Sequence, residues 1–116
     1  MIRQKTDHYI KICMKTWLLC EASVHGELTA STPRQALIKE CSECAKACFA
    51  VVTRLVSNEP DIGGLVLNCL LHCRQCSIEC EKYPKEEDIQ FCGIVSNICA
   101  DSLKDMARDI SIFSLN

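Results

Sequence analysis

Eleven cysteines stand in a chain of 116 residues, and all of them fall in a register that a helix would place on one side. They occur at 13 and 20; at 41, 44 and 48; at 69, 73, 76 and 80; and at 92 and 99. Successive spacings within each group are 3, 4 or 7. At about 100° per residue, Cys41, Cys44 and Cys48 fall within about 60° of arc, and Cys69, Cys73, Cys76 and Cys80 do the same. Cys13 and Cys20, like Cys92 and Cys99, differ by about 20°. These are the a and d positions of a heptad, which face the interior of a bundle. All eleven thiols are therefore expected to line one interior.

Three punctuation points divide the chain: HGELTASTP at 25–33, SNEPD at 57–61 and YPKEED at 83–88. Thr32 followed by Pro33 reads as a cap and a first helical position. Pro60 between Glu59 and Asp61 reads as a second start, and Pro84 before Lys85, Glu86, Glu87 and Asp88 as a third. Thr6 or Asp7 suits a cap of the first segment, and Gly26 suits its end. The pattern predicts helices at roughly 6–25, 33–57, 60–82 and 85–113. Their short connections favour an all-α, up-down-up-down antiparallel four-helix bundle with a cysteine-lined interior, as one domain over 1–116.

Composition supports a folded chain. Ile, Leu, Val and Phe make up 31 of 116 residues, above the ~20% below which disorder sets in. A net charge of −2 leaves no basic surface of the kind nucleic acid requires. No stretch approaches the ~18 apolar residues of a membrane span. The opening residues are interrupted by charges and carry no secretory pattern, so a reducing, cytoplasmic setting is expected. An odd cysteine count with only four Gly and three Pro argues against a disulfide scaffold.

Heights follow from the connections. With the 57–60 turn as the lower end, Cys80, Cys41, Cys20 and Cys92 lie near the top. Cys76 and Cys44 come next, then Cys73, Cys48, Cys13 and Cys99, with Cys69 lowest. Below them the seam becomes aliphatic, through Val51, Val52, Leu55, Ile62, Leu65, Val66 and Ile110. That plug is expected to let the chain fold without metal.

Three readings of the thiols stay open. Cysteine packs as a small hydrophobe, so the seam can be core, or a redox-active helical interaction module. Cys41-x-x-Cys44 and Cys73-x-x-Cys76 look like halves of a zinc site. Yet zinc ribbons place such pairs on turns, and four thiolates around Zn²⁺ leave a net 2− that a dry core penalises. An iron–sulfur cluster meets the same objection and lacks its usual loop spacing. Cu(I) fits better: thiolate is its preferred soft ligand. Exchanging each S–H proton for Cu⁺ leaves the interior charge unchanged, so many ions can enter. No Ser/His/Asp set, paired carboxylates or phosphate loop points to an enzyme.

CSECAKAC at 41–48, CLLHCRQCSIECEKY at 69–83 and, more loosely, FCGIVSNICADSLKDMA at 91–107 resemble the cysteine-rich four-helix-bundle copper-storage family. The likeness covers 33–107 well and the first helix weakly. It implies Cu(I) held inside the bundle by thiolates, and a homo-oligomer, a tetramer of bundles. Where that family's cysteine register would continue, this chain has Trp17, Leu37, Val66, Val95, Ser102 and Met106. Tyr83 and Phe91 replace a histidine-bearing stretch. Trp17 is expected to fill the cysteine face of the first helix. Met106 extends the Cys92–Cys99 seam and His25 sits at the thiol-rich end; both are secondary candidate ligands. His72 reads as surface or inter-bundle contact, and His8 as solvated. The expectation is a copper store of about eight to eleven ions per chain, one per engaged thiolate, whose filling releases protons.

Overall fold

The computed structural model describes residues 3–59 and 61–115, with side chains over 5–59 and 61–110. It contains four helices: α1 (Arg3–Leu28), α2 (Gln35–Val56), α3 (Gly63–Cys80) and α4 (Glu87–Leu115). Each packs on its chain neighbours, and α1 closes the ring against α4. The diagonal pairs α1–α3 and α2–α4 make no backbone approach among the described residues. The result is a slender bundle of 53 × 23 × 21 Å with a single channel of side chains along its axis.

The helix ends differ from the sequence expectations in ways that share a cause. α1 begins before Thr6 and Asp7, so neither caps it, and it continues through Gly26. Its end is made by Thr29, whose N–H and hydroxyl both donate to the His25 carbonyl, at 3.2 and 3.1 Å. α2 starts two residues after Pro33, with Arg34 as an extended N-cap at φ −92° and ψ 103°. Glu27 accepts the Arg34 backbone N–H at 2.9 Å, a contact across the turn that local propensity does not contain. α3 starts at Gly63 behind Ile62 rather than at 60; the expected start at Pro60 lies outside the described residues. α4 starts at Glu87 rather than 85, because Tyr83–Glu86 closes as a turn with the Glu86 N–H on the Tyr83 carbonyl. α2 ends where SNEPD predicts. Asn58 takes a left-handed φ of 55°, as a helix-terminating Asn readily does, while Ser57 and Glu59 donate to the Thr53 and Arg54 carbonyls.

The axial core has two chemical halves. Val51, Val66, Leu103 and Met106 are fully buried at one end, joined by Tyr9, Leu55 and Ile62. Val52, Leu65 and Ile110 pack against them half-buried. Burial, then the Asp109 carboxylate, to which the Tyr9 hydroxyl donates at 3.2 Å, pushes the phenol up to about 12. The other half of the channel is lined mainly by sulfur, with Leu37 fully buried beside it at the far end.

Candidate metal centre

All eleven cysteines are buried free thiols. Cys80 and Cys92 keep 1% of their surface; the other nine keep none. The spacing of 3, 4 and 7 turns each group inward on its own helix, and the four-sided packing brings the rows face to face. Sulfur–sulfur contacts cross between helices at every level. Cys20 meets Cys92 at 3.8 Å and Cys76 at 3.9 Å. Cys41 meets Cys76 at 3.8 Å. Cys44 donates to Cys73 at 3.7 Å, and Cys69 to Cys48 at 3.6 Å. Cys13 meets Cys99 at 3.9 Å.

Three sets gather tightly enough to share an ion: Cys41, Cys76, Cys80 and Cys92; Cys20, Cys44 and Cys76; and Cys44, Cys48 and Cys73, each with sulfurs within 4.8 Å of one another. With metal–sulfur bonds of roughly 2.3 Å, as in zinc thiolates, two sulfurs on opposite sides of an ion stand roughly 4.6 Å apart. The spacings thus match two- and three-sulfur coordination with small side-chain adjustments. Soft, polarisable sulfur in a dry setting selects soft metal.

Their acidity reflects the same packing. Hydrogen bonding to Cys13, then to Cys44, Cys69 and Cys73, together with burial, pushes Cys48 far above the ordinary thiol range. Cys41, Cys76 and Cys92 do the same to Cys80, again with burial. Cys44 moves the other way: hydrogen bonding with Cys20, then with Cys48, Cys73 and Cys76, lowers it against burial. A buried thiolate with no cation is costly. A bound cation supplies the charge that ionisation needs.

The thiol end is covered by the 29–34 and 81–86 turns, which one arginine ties together. Arg34 grips Glu27 through Nε at 3.0 Å and Nη2 at 2.6 Å. It reaches Glu86 through Nη1 at 2.5 Å and Nη2 at 2.9 Å. The Tyr83 ring lies 4.3 Å from its guanidinium carbon, within cation–π range. Beside it, Glu79 accepts from Lys82 at 2.9 Å and from the Tyr83 hydroxyl at 3.3 Å. α3 and α4 come together just below: a Cβ on Gly93 would stand 2.7 Å from that of Cys80.

The structure brings all eleven predicted cysteines into the interior and separates the secondary candidates from them. His25 is exposed at the end of α1 and joins no thiol group. Met106 is fully buried, seven residues beyond Cys99 in the aliphatic half. His72 is half-buried in the outer α2–α3 groove beside Glu40, Glu43 and Glu79, and His8 is exposed. Trp17 does not fill the cysteine face. It is half-buried with its ring 5.2 Å from that of Phe49, because Thr16 takes the inward position between Cys13 and Cys20. Similarly Ser96 lies inward beside Val95, and Leu103 lies inward beside a half-buried Ser102. Thr16 and Ser96 are fully buried hydroxyls within the sulfur half, and sequence reasoning missed them. Their spacing carried the signal: 16 is three beyond 13, and 96 is four beyond 92.

Fold and site together define a class: a helical bundle whose dry axis is lined with donors for a soft metal. The chain belongs to the copper storage protein family, whose model, described as Csp: Copper storage protein, matches residues 2–108. The match takes in α1, where the sequence likeness is weakest. No curated protein and no solved structure matches the chain. No helix among the described residues is long and apolar enough to cross a membrane.

Proposed function

We propose that this chain stores Cu(I) along the sulfur half of its axis, using Cys13, Cys20, Cys41, Cys44, Cys48, Cys69, Cys73, Cys76, Cys80, Cys92 and Cys99 as thiolate ligands. The observation that carries this reading is the run of buried, mutually contacting thiols from Cys80 to Cys69. Family membership supports it. A single structural site needs two to four sulfurs; a store needs a row. Each Cu⁺ takes the place of a thiol proton, so loading leaves the interior charge unchanged. The role is sequestration rather than catalysis, in a cytoplasmic setting that keeps thiols reduced. An anaerobic Cu(I) titration of the reduced chain against a chromophoric competitor tests it. The expected end point is about eight to eleven ions per chain, with protons released as they bind. An end point of two or fewer, or no acidification, sinks the storage reading.

A second reading rests on one observation. Cys41, Cys76, Cys80 and Cys92 form a four-sulfur set at the covered end, the donor count of a structural zinc site. It predicts one Zn²⁺ per chain and folding that depends on metal. The aliphatic half argues against that dependence.

We also propose that the chain assembles with copies of itself, as a tetramer. Leu67, Leu71 and Ile78 on α3, and Ile94 and Ile98 on α4, are each at least half exposed, and apolar side chains gathered on exposed helix faces favour a contact. Light scattering of the reduced chain tests this, and a monomer at all concentrations would remove it.

A further inference from the structure

The sulfur row is not uniform along its length. Cys20, Cys41, Cys76, Cys80 and Cys92 form an upper set beneath the turns. Cys48, Cys69 and Cys73 form a lower set, and Cys99 links the Cys13 pair to Cys48 and Cys73. Of the three close sulfur groups, the upper two share Cys76, and only Cys44 belongs to both the middle and the lower one. At that level α1 and α4 offer oxygen instead of sulfur. The Ser96 hydroxyl donates to Cys76 Sγ at 3.6 Å and stands 4.0 Å from Cys20 Sγ. The Thr16 hydroxyl donates to the Ile12 carbonyl at 2.8 Å. Hydroxyls are poor ligands for a soft ion. One half of the channel wall thus interrupts the ligand row, and the other half continues it through one residue.

The geometry points to Cys44 as the relay ligand through which Cu(I) taken up at the covered end reaches the lower sulfurs, with Thr16 and Ser96 forming a waist that divides the store into two copper clusters. This rests on the storage reading. The direction follows from the ends. The lower one is plugged by Val66, Leu103 and Met106, all fully buried; the upper one carries the buried Leu37 and Ile89, but there Cys80 and Cys92, alone among the thiols, keep any exposed surface. In the transfer step, an ion held by Cys76 and Cys44 keeps its bond to Cys44. Its bond to Cys76 breaks as one to Cys73 forms, and the Cys73 thiol proton passes to the Cys76 sulfur. Copper stays Cu(I) throughout, and net charge at the waist does not change.

Stopped-flow loading of the reduced full chain with Cu(I), followed by thiolate–copper absorption, tests the relay. Wild type is expected to fill in two phases. Cys44→Ser should slow the second phase by on the order of tenfold, ~1.4 kcal/mol on its barrier, a larger effect than the loss of one ligand has on the first. Cys69→Ser, which removes a lower ligand away from the waist, should lower capacity without that slowing. Ser96→Cys adds a sulfur at the waist and should speed the second phase, a gain that a misfolded variant would not give. A fully loading wild type with identical second phases in Cys44→Ser and Cys69→Ser overturns the relay alone. A wild type that binds two ions or fewer overturns the storage reading and the relay with it.

Discussion

The two halves of the axis solve opposite problems with the same helices. At one end Val51, Val66, Leu103 and Met106 fill the channel with carbon. At the other, thiols meet at 3.6–3.9 Å across α1–α4, α2–α3 and the diagonal α1–α3. Burying a Leu-sized side chain contributes about 1.5–3 kcal/mol; a thiol contributes less and keeps its capacity for chemistry. The contrast teaches that folding and function have been separated along the axis. The carbon end supplies cohesion of the ordinary kind, and the sulfur end, packed into the same buried core, gathers the donors that could hold metal.

That separation can be broken or sharpened. The largest effect is expected at the carbon end. Leu103→Ala should cost about 2–5 kcal/mol of apo stability, read by denaturant midpoint, while the folded fraction still takes a full copper load. A proportional loss of capacity per folded chain would show that the halves are not independent. Gly93→Ala probes the sulfur end. The added Cβ would meet Cys80 at 2.7 Å, and such overpacking costs about 1–3 kcal/mol, offset by up to ~1 kcal/mol of helix propensity. It should lower stability modestly and disturb loading at the covered end first, seen as a smaller early phase. A stabilised variant with unchanged loading would mean that α3 and α4 separate freely there.

The smallest effect is expected from acid. Hydrogen bonds from Arg34 hold the Glu27 carboxyl below its ordinary value, against burial, and Arg34 does the same to Glu86. A depressed carboxylate stabilises fully above its unfolded pKa of ~4.3 and loses that contribution as pH falls through the folded value. Apo stability should therefore be flat from neutrality down to about pH 5 and decline below it. Arg34→Gln should flatten the decline. An unchanged acid limb in that variant would show that the tie between the turns carries no stability.

The fold was legible because its signal is repetitive. Cysteines at 3, 4 and 7 place themselves inward whatever the neighbouring residues do, so four helices and a thiol-lined axis follow from spacing. The helix starts were not legible, because the extended Arg34 depends on Glu27, seven residues away and across a turn. Pro33 and Pro84 mark the turns correctly but not the first helical residue. Trp17 rather than Thr16 is expected inward because it stands where the cysteine register would continue. A ring at that position would not fit a channel whose wall is built from thiols, and it packs outside on Phe49 instead. Ser96 was hidden by its ordinary polarity, which here marks a ligand withheld.

The covered end has two dissimilar edges. Where Gly93 meets Cys80, backbone lies against side chain, and dispersion holds it. Across from it, Arg34 binds Glu86 at a place open to solvent, with the carboxylate side chain 46% exposed. Dissolved salt weakens contacts between exposed charges and leaves the first kind untouched. The stiffness of the cover is thus lopsided and depends on ionic strength: one edge acts as a fixed hinge, and the other as a clasp that electrolyte loosens.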